Sequence, residues 1–121
     1  MPNSINRLTV IGQVVHQNHG HNPSVFVFSG NVQLSEGQEQ PYLRETSVDE
    51  HWHKLSYGWV ESPYSVSIKN DSEFSMYYAY SDDRDHEWVI PPGMGVVLYP
   101  TSGLAIRSDG VSKYQLYAVK G

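Results

Sequence analysis

At 121 residues the chain is long enough for one hydrophobic core and too short for two. Only 17% of it is charged, Tyr occurs nine times, and the net charge is −5 with no run of Lys or Arg, which argues against a helical bundle and against a phosphate-collecting nucleic-acid binder. The absence of Cys removes disulfides, thiolate nucleophiles and cysteine zinc sites together, and no apolar stretch approaches the roughly eighteen residues of a membrane span.

The opening Met-Pro-Asn-Ser lacks the basic region and apolar core of a signal peptide, so synthesis in the cytoplasm is expected. Residues 1–8 are a candidate N-terminal contact arm. Leu8 to Val15 reads as a strand, His16 to Pro23 as a loop, and Val25 to Phe28 and Val32 to Leu34 as two more strands. Residues 35–45, rich in Glu and Gln, read as an exposed connection. Between Thr46 and Leu55 lies the single helix candidate, because Ser47 and Glu50 form a capping box and Val48, Trp52 and Leu55 share one helical face.

Tyr64 to Lys69 alternates strictly, which places Tyr64, Val66 and Ile68 on a core face. Turn chemistry at Asn70-Asp71-Ser72 and renewed alternation of Phe74, Met76, Tyr78 and Tyr80 predict a β-hairpin over residues 64–80. A charged loop at Asp82 to Asp85, a short strand Trp88 to Ile90, the stop Pro91-Pro92-Gly93 and strands at Gly95 to Tyr99, Leu104 to Arg107 and Ser112 to Val119 follow, the last with Tyr114, Leu116 and Ala118 on one side. Strands at this spacing predict one all-β domain over 1–121, an antiparallel β-sandwich or jelly-roll-like small barrel with at most one short helix near residues 47–55.

Candidate chemistry is sparse. His16, His19 and His21 are dense enough to suggest a transition metal, although loop histidines beside Asn and Gly are more often solvated. His51 and His53 would chelate one ion from a strand, where i and i+2 share a face, and would diverge by about 200° on a helix. Asp82, Asp83, Asp85 and Glu87 have the oxygen-ligand spacing of a calcium loop, but Trp88 occupies the position where an EF-hand needs Gly. No strained nucleophile elbow and no phosphate-cradling glycine loop is present. No cofactor is therefore expected. Trp52, Trp59 and Trp88 would suit either a sugar-stacking platform or an interface, and Tyr77 and Tyr117 fall on the faces opposite Met76 and Leu116, where a second apolar surface would form.

Two resemblances follow from these residues. His51 and His53 with Pro91-Pro92-Gly93 resemble, in part, the metal-binding motifs of the cupin barrels, but Glu61 stands too far from His53 and Val96-Val97 occupy the place of the last histidine. The order Ile68-Lys69-Asn70-Asp71-Ser72, the aromatic strand, Val89-Ile90-Pro91-Pro92-Gly93, Gly103 to Arg107 and a closing strand, over residues 66–119, resembles the β-modules of small structural proteins of tailed-phage particles. That resemblance implies a capsid decoration protein or a tail or fibre accessory, non-enzymatic, residing in the virion. Its implied partners are other copies of itself, often in a trimer, and a larger lattice such as a major capsid protein, with no nucleic acid and no membrane. The expected contacts are Met1 to Leu8 and the loop His16 to Pro23.

Overall fold

The computed structural model describes residues 7–17, 19–20, 22, 24–34 and 40–120. The chain, expected as one domain, divides into two compact units, Met1–Gln38 and Glu39–Gly121. Among the described residues there is no helix, and every sheet is antiparallel.

The first unit is a two-stranded ribbon of β1 (Arg7–His16) and β2 (Ser24–Gln33), paired without interruption from Arg7↔Gln33 to His16↔Ser24. The two short strands read at Val25 to Phe28 and Val32 to Leu34 are thus one. Ser29 and Gly30, which look like a break in sequence, stay in the ladder opposite Ile11 and Val10.

The second unit is a sandwich of eight strands: β3 (Tyr42–Val48), β4 (His53–Lys54), β5 (Pro63–Asn70), β6 (Met76–Tyr80), β7 (Asp83–Ile90), β8 (Gly95–Leu98), β9 (Leu104–Ser108) and β10 (Ser112–Lys120). They form two four-stranded sheets ordered β3-β10-β5-β8 and β4-β9-β6-β7. Successive strands pass from one sheet to the other at every connection except β6 to β7, the wrapping of a jelly roll. Alternation in β10 turns Tyr114, Leu116 and Ala118 inward as expected, onto a core that also holds Val66 and Ile68 of β5, Met76 of β6, and Leu104 and Ile106 of β9. Burial of these side chains supplies most of the driving force, at about 25 cal/mol per Å² of apolar surface removed from water.

Four expectations need correction. Residues 64–80 are not a hairpin, because β5 pairs with β10 and β8 whereas β6 pairs with β7 and β9, so the turn at Asn70 crosses the sandwich. Asn70, fully buried, is the hinge of that crossing. Its Nδ2 donates to the carbonyls of Phe74 (2.7 Å) and Ile90 (2.9 Å), and its Oδ1 accepts from the Ser72 amide (3.0 Å) and hydroxyl (2.6 Å). The helix near 47–55 is absent: Ser47 and Val48 pair with Lys113 and Ser112 of β10, and the ladder overrides the local capping pattern. The exposed connection is shorter than 35–45, since Tyr42 already pairs with Ala118; residues 35–39 lie outside the described residues. The charged loop is only Ser81-Asp82, and Asp83 begins a strand that runs to Ile90.

Candidate assembly surface

The ribbon's side chains follow directly from its register. Cross-strand partners share a face, so Ile11, Val15, Val25 and Val27 form an aliphatic face, while Leu8, Val10, Val14, Phe26, Phe28 and Val32 form an aromatic one. On the aromatic face Phe26 and Phe28 lie 5.9 Å apart, and Phe28 covers its partner Gly12 so closely that a methyl there would fall 2.0 Å from the ring. Both faces are exposed toward the β1–β2 connection, where Ile11 is 77% exposed, Val27 65% and Phe26 64%, whereas Leu8, Val10 and Val32 at the other end are half-buried.

Charge reinforces the point. No Asp, Glu, Lys or Arg lies between Arg7 and Glu36. A ribbon of this length with Arg7 as its one charge, apolar side chains on both faces and neither edge paired among the described residues is marginal in water by itself and is a template for association. The sandwich handles its own edges differently. Strand β7 carries Asp83, Arg84, Asp85, His86 and Glu87, and the other edge strands of its two sheets run from two to seven residues. Charge and brevity are the usual protections against edge-to-edge pairing.

The sequence-derived interface residues lie on the sandwich. Tyr77 and Trp52 are brought together by Arg107, whose guanidinium sits 4.2 Å from the Tyr77 ring centroid and 5.3 Å from that of Trp52. Arg107 is held in place by Glu87, through Nη2 to Oε1 at 2.7 Å and Nε to Oε2 at 3.1 Å, and the Tyr77 hydroxyl donates to Asp109 (3.0 Å). Tyr117 projects from the outer face of the other sheet, between Leu43 and Ser67 on the neighbouring strands. Trp59 donates its indole N–H to the Gln40 carbonyl (2.8 Å) and meets Tyr42 edge-on at 5.0 Å, and Trp88 stacks on Tyr78 at 5.6 Å. Each tryptophan therefore already has a partner within the sandwich.

The histidines are dispersed. His16 closes β1, His19 lies in the turn beyond it, and His21 is outside the described residues. His51 and His53 do not form a chelate, because both turn to Asp49: its Oδ1 accepts from the His51 backbone N–H (2.9 Å) and lies 2.7 Å from His53 Nε2. Those two contacts, the backbone one first, pull the Asp49 carboxyl down to about 2. Asp83 and Glu87 are likewise engaged, Asp83 with His86 Nδ1 at 2.8 Å and Glu87 with Arg107, so the calcium-loop arrangement is not formed. Among the described residues no group of three or more His, Cys, Asp or Glu is placed to hold a metal ion. A cleft of about 360 Å³ at one end of the sandwich is lined by Lys54, Tyr57, Glu61 and Thr101 among others.

Strands at Leu8 to Val15 and Val25 to Phe28 are expected from the sequence, but apolar side chains on both of their faces are not. The signal for them lies in Val14-Val15 and Val25-Phe26-Val27-Phe28, where consecutive apolar residues put apolar side chains on both faces. No family model, no curated protein and no solved structure matches the chain.

Proposed function

We propose that the chain is a non-enzymatic structural subunit of a virus particle, most simply a capsid decoration (cement) or accessory protein of a tailed phage, that acts by protein–protein contact. The observation that carries this reading is a ribbon whose one charged residue is Arg7 at its end and which exposes apolar side chains on both faces, in a chain whose sandwich completes its own core. A subunit that stabilises a shell needs a rigid body and an apolar contact element, and has no need of tuned ionisable groups. The resemblance over residues 66–119 supports the same class. In this reading the protein is made in the host cytoplasm, resides in the virion, and binds further copies of itself and a larger lattice such as the major capsid protein, without nucleic acid or membrane. The body's outer faces, with Tyr117 on one and the Trp52–Arg107–Tyr77 stack on the other, supply lattice contacts.

The test is co-sedimentation of the purified protein with phage particles stripped of accessory proteins, with a mass-spectrometric inventory of the intact virions. Saturable, stoichiometric binding and a higher disruption temperature of the shell are expected. A protein that stays at the top of the gradient and is missing from the virion inventory would overturn the proposal.

A further inference from the structure

We infer that the cleft at the end of the sandwich is a binding site for a small neutral saccharide, an activity separate from the assembly role proposed above. Three connections meet there: β4 to β5, which supplies Tyr57, Glu61 and Ser62, β8 to β9, which supplies Thr101 and Ser102, and β6 to β7, which places Ser81 against Gly103. The volume of about 360 Å³ falls at the lower end of the roughly 300–1,000 Å³ of small-molecule sites.

A pair of hydroxyls singles this cleft out. Among the described residues, Tyr57 Oη and Ser81 Oγ are the buried side-chain polar atoms that make no hydrogen bond, and both stand at this end of the sandwich. Buried polar groups in folded proteins are otherwise paired, so two orphans in one place mark a missing partner. Tyr57 lines the cleft, and Ser81 lies beside Gly103 of the cleft wall, its amide donating to the Gly103 carbonyl (2.9 Å). Gly103 leaves a gap there, because a methyl on it would stand 3.4 Å from Ser81 Oγ and 3.6 Å from Lys54 Cε. Lys54 is thus the neighbour of Ser81 across that gap, a movable cover on a flexible four-carbon stem.

The lining selects the class of ligand. Lys54 and Glu61 carry opposite charges, so the cleft has no net charge for an anion or a cation to seek. The hydroxyls of Tyr57, Ser62, Thr101 and Ser102, with Ser81 beside them, each donate and accept, which matches a ligand whose own hydroxyls do both. Burial pushes the Tyr57 hydroxyl above its ordinary pKa, an effect the nearby Leu104 backbone partly offsets, so this group stays protonated and able to donate at neutral pH. Pro63 and Pro100 add apolar wall for the C–H face of a sugar ring.

The full-length protein is tested by two-dimensional NMR against free glucose, galactose, mannose and N-acetylglucosamine, and on an array of glycans carrying these sugars at their ends, with inorganic phosphate as the anionic control. Saturable binding of at least one sugar is expected, with shifts centred on residues 54–63, 81 and 100–104. Ser81→Ala and Tyr57→Phe should each weaken it about tenfold, the equivalent of one hydrogen bond. Their melting temperatures should stay level or rise, because a hydroxyl without a partner stabilises nothing in the free protein. Gly103→Ala, at a position of ordinary φ, should fill the gap and weaken binding with the melting temperature unchanged. A response to the free sugars assigns a soluble ligand and a response to the array alone a glycan chain, and either supports the saccharide class. Failure of every sugar to bind, or binding of phosphate in their place, would overturn the inference. So would lower melting temperatures in Ser81→Ala and Tyr57→Phe with sugar binding unaltered, the mark of hydroxyls that hold a structural water. Each result is independent of co-sedimentation with particles, so the site and the assembly role stand or fall separately.

Discussion

The tip of the Phe28 ring lies over Gly12, its directly opposed partner in the β1–β2 ladder, so closely that one added carbon would clash with it. Such aromatic cover of a strand glycine stabilises a register that otherwise has little side-chain packing. Gly12→Ala should therefore displace the Phe28 ring and weaken self-association measured by light scattering, while the melting transition of the sandwich stays within about 0.5 kcal/mol of wild type, as for substitutions outside a packed core.

Asn70 is the most consequential polar residue of the sandwich. Asn70→Ala would remove the side-chain donor from the buried Ile90 carbonyl, at about 1–3 kcal/mol for a group so orphaned, and leave the Phe74 carbonyl with the Ser72 hydroxyl alone. A loss of about 2–4 kcal/mol in denaturant unfolding is expected. Asn70→Asp, which replaces the donating nitrogen by an oxygen facing two carbonyls, should be worse near neutral pH than the alanine variant.

A contact made through the apolar side chains of the ribbon would be indifferent to ionic strength. Assembly followed by light scattering should survive 1 M NaCl and tighten in sulfate, which strengthens apolar burial. Dissociation by NaCl would place the contact on the charged sandwich instead.

Two titrations probe the exposed carboxylate–imidazole contacts. His86 is raised above the ordinary imidazole value by its hydrogen bond to Asp83 and then by that carboxylate's charge. Its contribution is fully present below the unfolded value and is lost as pH rises through the elevated folded one. Asp49, lowered to about 2, acts in the opposite sense: its contribution is present above the ordinary carboxylate value near 4 and is lost as pH falls toward about 2. NMR titration should show the His86 midpoint drop in Asp83→Asn, and the His51–His53 segment loosen only between pH about 4 and about 2.

The all-β class, most strands of the sandwich and the inward face of β10 were legible in the sequence because each rests on local alternation and turn residues. What was not legible depended on distant partners. Asn70-Asp71-Ser72 marks a turn whether the chain returns beside itself or crosses to another sheet, and only the pairing of Ile68 with Leu116 decides it. The capping pattern at Ser47 and Glu50 yielded to β10 in the same way. At His51 and His53 residue spacing gave no hint of Asp49, which both histidines contact.

Hydrogen exchange of the full-length protein, at a concentration where light scattering shows the oligomer, tests the central claim most directly. If the ribbon is the assembly element, the amides of Arg7–His16 and Ser24–Gln33 will be protected to a degree approaching β5 and β10, and will lose that protection on dilution to monomer. Ribbon amides that exchange at the rate of an unfolded chain in the assembled protein, or whose protection does not change on dilution, would contradict it.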